Sequence, residues 1–420
     1  MVHATIGSLI EALIDYRGKT PPKTATGVPL ITAKVIKGGR ILESPREYIA
    51  EEIYDTWMHR GLPASGDILI TTEAPLGEVA RVGRNSRIAL AQRVILLRPD
   101  PTLISPSFMF HYLRSSQAQA ALGRRASGTT VSGIRQPELR AVEIPLPARS
   151  VQDAVGVVLD LIDNLIANNR RRIKVLEEMA RTIYREWFVK FRYPGHEDVP
   201  LVDSPLGPIP DGWEVSTCGA ELNFIGGGTP SKAEPSYWDG GTIAWYTPTD
   251  LTKTGWRYAA PSESAITRQG LAKSSARLFP TGSVMMTSRA TLGVLAIATT
   301  EATTNQGFIV ILPDERWSPG FVYEWLDSKA GELSALGTGA TFKEITKGSF
   351  KSFPFIVPAQ SVLDDYRGAT EPLEDQVLVL EQQIRNLSVL RDLMLPKLVT
   401  GQIDVSTLDL EVLMQERVAS

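Results

Sequence analysis

Two stretches of the chain carry apolar residues at spacings that alternate between three and four. In the first, Ile162, Ile166, Ile173, Leu176, Ala180 and Ile183 recur; in the second, Leu373, Val377, Leu380, Ile384, Leu387 and Met394. That spacing is the narrow seam of a coiled coil rather than the broad stripe of a globular helix. Neither Pro nor Gly interrupts 160–192 or 373–395. A helix of about 33 residues is a rod of roughly 50 Å. At one seam position the first stretch has Asn169 where the second has Leu380, and a polar seam residue of this kind can fix register at some cost in stability. The pattern predicts a central long helix over 151–192 and a second long helix with a tail over 360–420. Between them, 193–213 is rich in Pro and Gly, lacks periodicity and reads as a linker.

The remaining segments, 1–150 and 214–359, show short β-branched runs punctuated by Gly and Pro, such as DILITT, RVILL, SVMMT and FIVIL. These predict a curved sheet with a few helices. The two segments also resemble each other. GDILITTEAPLGEVA (66–80) lies without gaps on GSVMMTSRATLGVLA (282–296), with Thr71 on Thr287 and Gly77 on Gly293. AQRVILLRP lies on NQGFIVILP, GTTVSGI on GATFKEI, GKTP on GGTP and PLIT on AWYT. Order is kept throughout, with offsets between 209 and 216, and the helices align at 211. The repeating unit is therefore a domain followed by a long helix. The expected fold class is α+β.

Composition removes several function classes. One cysteine, Cys218, and four scattered histidines exclude a disulfide framework and make a multi-ligand metal site unlooked-for. No apolar run approaches twenty residues, and the N-terminus lacks a basic, apolar, small-residue leader. The chain is thus expected to work in the cytoplasm, away from membranes. FIGGG (224–228) superficially fits a methyltransferase loop, but Thr-Pro-Ser follows it rather than a helix. The P-loop for ATP, the nucleophile elbow and the Asn-Pro-Pro-aromatic motif for a flipped base do not occur. His111 reads as a satisfied residue of a helix. No catalytic residue, metal or cofactor is expected of this chain.

The net charge of −3 hides a gradient. Residues 1–150 hold 19 Lys and Arg against 13 Asp and Glu, a net of +6; residues 198–359 sum to −4 and 360–420 to −6. A basic first domain suits contact with nucleic acid in a larger assembly. Candidate DNA contacts are cations and short polar residues beside Gly, which can approach phosphate and base edges. In the first copy these are Arg17, Lys19, Lys34, Lys37, Glu73, Arg93, Arg124, Arg125, Thr129, Thr130 and Arg135. In the second they are Lys232, Tyr246, Thr249, Asp250, Arg289, Asn305, Gln306, Thr341 and Lys343. Positions shared by both copies point to structure or phosphate positioning. Base readers belong where the copies differ, as at Glu73 against Arg289.

The ordered set GKTPPKT, TTEAPLGEVA, GTTVSGI and EEMARTIYREWFVKFRYPG, then GGTPSK, TSRATLGVLA, TGATFKEI and LRDLMLPKLVTGQI, resembles the specificity subunits of type I restriction–modification systems over essentially the whole chain. The resemblance implies two target-recognition domains held apart by two long helices packed as an antiparallel coiled coil, with pseudo-twofold symmetry. It implies a bipartite double-stranded DNA target, each half read by one domain, with the helix pair setting the spacer. It also implies two methyltransferase subunits using S-adenosylmethionine and two motor-nuclease subunits using ATP and Mg, so that these cofactors belong to the partners. Composition alone would equally allow a non-catalytic scaffold with duplicated domains on a coiled-coil spacer.

Overall fold

The computed structural model describes residues 2–16, 20–84, 86–128, 132–338, 343–403 and 405. Two compact units are present, Met1–Ala167 with Arg385–Ser420, and Asn168–Ile384. Each unit holds one globular domain and a segment of both long helices.

In the first unit, a four-stranded antiparallel sheet runs in the spatial order Ile10–Asp15, Val94–Pro99, Ile68–Thr72, Leu76–Arg81. The second unit repeats it with Phe224–Gly226, Phe308–Ile311, Val284–Arg289 and Thr291–Ile297. A three-stranded sheet also recurs: Glu47–Ile49, Val28–Ile31 and Ala89–Leu90 in one unit, Ser264–Ile266, Ile243–Tyr246 and Ala302–Thr304 in the other. In both, the last two strands pair in parallel. Finally, Val2–Thr5 pairs with Glu143–Leu146, and Glu214–Thr217 with Pro354–Val357. This pairing ties the two ends of each domain together just before a long helix begins.

The central strands are apolar on both faces because both faces are buried. Ile68, Ile70, Ile95 and Leu97 face a core shared with Ala154, Val155 and Leu159 of the first long helix and Leu395, Leu398 and Val399 of the second. Leu69, Val94 and Leu96 face a second core on the far side of the sheet. The second unit divides likewise, Val284, Met286, Ile309 and Ile311 turning one way and Met285, Phe308 and Val310 the other. Its helix-side core is aromatic, with Tyr184, Phe188, Phe321 and Tyr366 in mutual ring contact at centroid distances of 5.0 to 6.2 Å.

The first long helix, Arg149–Tyr184, ends in a π-helical turn, Arg185–Val189. The second, Gln360–Val399, runs 40 residues and includes Gly368, Pro372 and Pro396. The sequence-predicted seam is buried at Ile162, Ile166, Asn169, Val377, Leu380 and Ile384 and half-buried at Ile173, Leu176, Ile183, Leu373, Leu387 and Met394. Asn169 Nδ2 donates to Gln383 Oε1 at 3.0 Å, so the polar seam residue has a partner on the second helix. In the second unit the two segments run antiparallel, Asn169 meeting Gln383 and, further along, Tyr184 meeting Tyr366; in the first, Asp163 meets Arg391. The segment 193–213 packs on the second domain rather than hanging free: Tyr193, Ile209 and Trp213 are buried in the aromatic core, and Leu201–Val202 pairs with Ile209–Pro210.

Candidate nucleic-acid interface

The same construction stands at the same end of both central sheets. After Ile70 the pairing of Ile68–Thr72 with Leu76–Arg81 slips by one residue, and after Met286 the equivalent pair slips in the same place. The extra residue lies on the returning strand, where Gly77 and Glu78 oppose the buried Thr71 in one copy and Gly293 and Val294 oppose the buried Thr287 in the other. Each hydroxyl accepts a backbone N–H across the bulge, from Glu78 and Val294, both at 2.9 Å. Gly77 and Gly293 follow with φ of 84° and 77°. The shared Thr and Gly are therefore structural parts of a bulged hairpin.

At the tip of each bulged hairpin stands a charged residue, of opposite sign in the two copies. Glu73 pairs with Arg93 at 2.7 Å, while Arg289 faces Glu344 at 3.8 Å. The next residue, Ala74 or Ala290, has φ of 47° or 65°. A neighbouring segment stitches the tip in both copies. Ile134 N–H donates to Thr72 O at 3.0 Å, Ile345 N–H to Ser288 O at 2.9 Å, and Ala290 N–H to Lys343 O at 3.1 Å. Beside the first tip lies a depression of about 300 Å³ lined by Thr20, Lys23, Lys34, Ala74, Gln92 and Arg93 among others. Sequence-predicted Lys34 and Arg93 thus meet at one place.

Other candidate contacts lie apart from the tips or are already engaged. Lys37, Arg124, Arg135, Lys232, Thr249 and Lys343 are exposed. Arg124 and Arg125 end the helix Ser116–Arg125, where cations oppose the helix dipole, and Arg125 pairs with Glu138 at 3.0 Å. Gln306 is exposed and accepts from the Thr229 hydroxyl at 2.6 Å. Asn305 Oδ1 accepts from Gly307 N–H at 2.8 Å. Two residues need correction. Tyr246 is 2% exposed, packs in the second domain's core and donates its hydroxyl to Ala260 O at 2.9 Å, so it offers no edge to a base. Asp250 forms a capping box with Thr247 and accepts Glu263 N–H, so its carboxylate holds a helix start. Arg17, Lys19, Thr129, Thr130 and Thr341 lie outside the described residues. The glycines of FIGGG are spacers: a Cβ on Gly227 would stand 2.1 Å from Asn305 O. Burial pushes the Cys218 thiol up to about 12, which leaves it inert.

Sequence reasoning missed the polar contacts that fasten each domain to the long helices. In the first unit Asp160 accepts from His111 Nε2 at 2.8 Å, Ser107 Oγ at 2.7 Å and Arg81 Nη2 at 3.1 Å. Burial alone would raise the Asp160 carboxyl, but these three partners outweigh it and hold it far below the usual range. Burial lowers His111 despite Asp160 and favours the neutral ring. One turn on, Asp163 bridges Arg114 at 2.5 Å and Arg391 of the second helix at 2.9 Å. In the second unit Arg257, 2% exposed, reaches Glu324 at 2.5 Å and Glu374 at 3.5 Å, and its ring neighbour is Tyr323 at 4.2 Å. Glu381 accepts the backbone N–H groups of Arg257 and Tyr258. The legible signal was carboxylates one turn apart, Asp160 and Asp163, beside the apolar seam. Their cationic partners lie too far along the chain to be read.

Residues 5–178 and 210–362 each match the family described as type I restriction modification DNA specificity domain. The chain is 24% identical over 349 residues to the MjaIX type I restriction enzyme specificity subunit of Methanocaldococcus jannaschii, covering 82% of this chain and 79% of that one. It is 24% identical over 396 residues to the putative MjaX specificity subunit of the same organism, covering 92% and 89%. In fold it is similar to the crystal structure of the type I restriction–modification S subunit from M. genitalium, with a TM-score of 0.59 at 15% identity over 94% of this chain and 95% of that one. With the domain present twice, on a sheet and helix plan that repeats strand for strand, the chain belongs to the type I restriction modification DNA specificity family.

Proposed function

We propose that this chain is the sequence-specific DNA-recognition subunit of a type I restriction–modification complex, each domain reading one half of a bipartite target. The observation that carries this reading is the recurrence of one bulged tip in both domains with its charge reversed, Glu73 in one and Arg289 in the other. Identical scaffolds with different chemistry at one exposed point suit two readers of two different words. Base edges in the major groove present distinct donor and acceptor patterns to such groups. Exposed cations of the first domain, Lys34 beside the tip and Lys37, Arg124 and Arg135 elsewhere, would set register on phosphates.

The long helices serve as spacer and as docking surface. Exposed apolar residues stand along them: Leu165, Val389, Leu390 and Leu393 in the first unit, Val175, Met179 and Val379 in the second. Exposed apolar side chains of this density support coverage by a partner, and two methyltransferase subunits are the occupants proposed, with two motor-nuclease subunits joining in the cytoplasm. S-adenosylmethionine, ATP and Mg would be bound by those partners. Among the described residues, no helix is long and apolar enough to cross a membrane.

The direct test is an exchange of residues 1–150 for the equivalent domain of another family member, followed by methylome sequencing. One half-site should change and the other stay. A change in both halves, or in neither, would sink the reading.

The second domain's net charge of −4 has its own consequence. If the methyltransferase supplies most phosphate contacts there, the isolated chain should bind DNA with a shallow dependence of log affinity on log salt. Adding the partner should steepen that slope by about one unit per phosphate neutralised. Equal slopes with and without the partner would remove this division of labour.

A further inference from the structure

We infer that the side chain at the tip of the bulged hairpin, Glu73 in the first unit and Arg289 in the second, is a specificity-determining position of its domain. The inference rests on the DNA-recognition reading above and goes on to name the base-reading chemistry.

Two backbone devices converge on this side chain in both copies. The first is the β-bulge of the returning strand, at Gly77–Glu78 and Gly293–Val294, fastened to Thr71 and Thr287 by the same hydroxyl-to-amide hydrogen bond. Bulges bend and twist the hairpin that carries them, re-aim side chains there, and gather beside functional sites. The second is the left-handed alanine that comes next, Ala74 and Ala290. A non-glycine residue at positive φ is held there at a cost, and such positions cluster where function requires them. Only Phe191 shares this conformation among the other described non-glycine residues. Retention of both devices in copies whose sequences have otherwise diverged shows that the backbone at this point is held constant while the charge it presents is free to vary.

Exposure and pairing fit readout. The side chains of Glu73, Arg93, Arg289 and Glu344 are 39 to 49% exposed. Each tip residue has one opposite charge beside it, from Arg93 just before the adjacent strand or from Glu344 on the stitching segment. In the free protein the partner holds the side chain in place without burying it. An arginine here presents its fork to O6 and N7 of a guanine, and a glutamate accepts from N4 of a cytosine. The second unit is therefore assigned a guanine at this contact and the first a cytosine, with Arg93 offsetting the repulsion between Glu73 and the phosphates.

The test uses the full complex with its methyltransferase, read by methylome sequencing and by binding to a panel of single-base site variants. Arg289→Gln should lower discrimination at one base of one half-site by about tenfold to a hundredfold. Glu73→Gln should do so at one base of the other half-site. Arg289→Lys, which keeps the charge but not the fork, should lose discrimination while keeping the salt slope; this conservative variant covers the event that Arg289→Gln does not fold. Uniform weakening across all sequences, with the salt slope reduced by about one, would make Arg289 a phosphate contact and overturn the inference. Base preference unchanged in Arg289→Lys and Glu73→Gln would overturn it too. A wild-type complex that methylates no bipartite site would instead defeat the underlying DNA-recognition reading.

Discussion

Replacing Arg257 with alanine is expected to cost about 3–5 kcal/mol of stability in the second unit at pH 8. The guanidinium is buried between Glu324, 1% exposed, and Glu374, 12% exposed. Removing it strands two carboxylates in a site that water does not reach. Even with Arg257 present, burial pushes Glu374 up to about 7 against the pull of the guanidinium, and Glu324 is also raised. The sign for pH follows. A carboxyl with a raised folded pKa contributes stability that is fully present below its unfolded value of about 4.5, and that is lost as pH rises through about 7. The wild-type protein should therefore lose roughly 2–3 kcal/mol on this account between pH 4.5 and pH 8. Glu374→Gln should flatten that dependence. Arg257→Ala should be most damaging at high pH, where both carboxylates must stay charged, and milder near pH 5, where protons replace the arginine. Urea unfolding at pH 5 and pH 8 measures both. A loss below about 1 kcal/mol at pH 8, or one independent of pH, would show that the cluster does not hold the domain to the second helix. The triple variant Arg257→Met, Glu324→Met, Glu374→Met should recover most of the loss, since an apolar replacement of a whole buried ionic group is commonly neutral.

Lengthening the helices should move the half-sites apart without altering them. Four residues inserted between Asn168 and Asn169, with four between Ile384 and Arg385 to keep the antiparallel seam in register, add about 6 Å of helix. At 3.4 Å per base pair this lengthens the unspecified spacer by one to two base pairs. The second insertion falls at a boundary between the two compact units and the first one residue past the other boundary, so neither domain core is touched. The nearest seam contact, Asn169 with Gln383, lies wholly in the second unit and should survive. Methylome sequencing reads the result. Altered half-site bases, or an unchanged spacer, would sink the view that the helix pair measures distance along DNA.

Much of this protein was legible before any coordinates. The seam from Ile162 to Ile183 and from Leu373 to Met394 announced two long helices, because a helix buried along one narrow line must repeat its apolar residues at three and four. The internal match of 66–80 with 282–296 announced two copies of one domain. The distinction between shared and differing positions also carried weight, since Thr71 and Thr287 make the same hydrogen bond while Glu73 and Arg289 present opposite charges. These features are local or periodic, and period and order along the chain are what a sequence displays.

The duplicated plan, the α+β class and the two long helices are thus readable from order and period along the chain. Tertiary structure alone decided the rest. It keeps the second helix, which starts at Gln360 where the sequence places it, continuous through Gly368 and Pro372, because burying Val362, Leu363 and the fully enclosed Tyr366 in the aromatic core outweighs a helix-propensity cost of about 1 kcal/mol for Gly and about 3 for Pro. It turned Tyr246 inward and made Asp250 a cap. It joined Arg257 to Glu374, and Asp163 to both Arg114 and Arg391, across long stretches of chain. Burial and pairing of this kind depend on which surfaces meet, and no spacing along the chain records that; the meeting is settled only when the sheet closes onto the helices and each buried charge must find its partner.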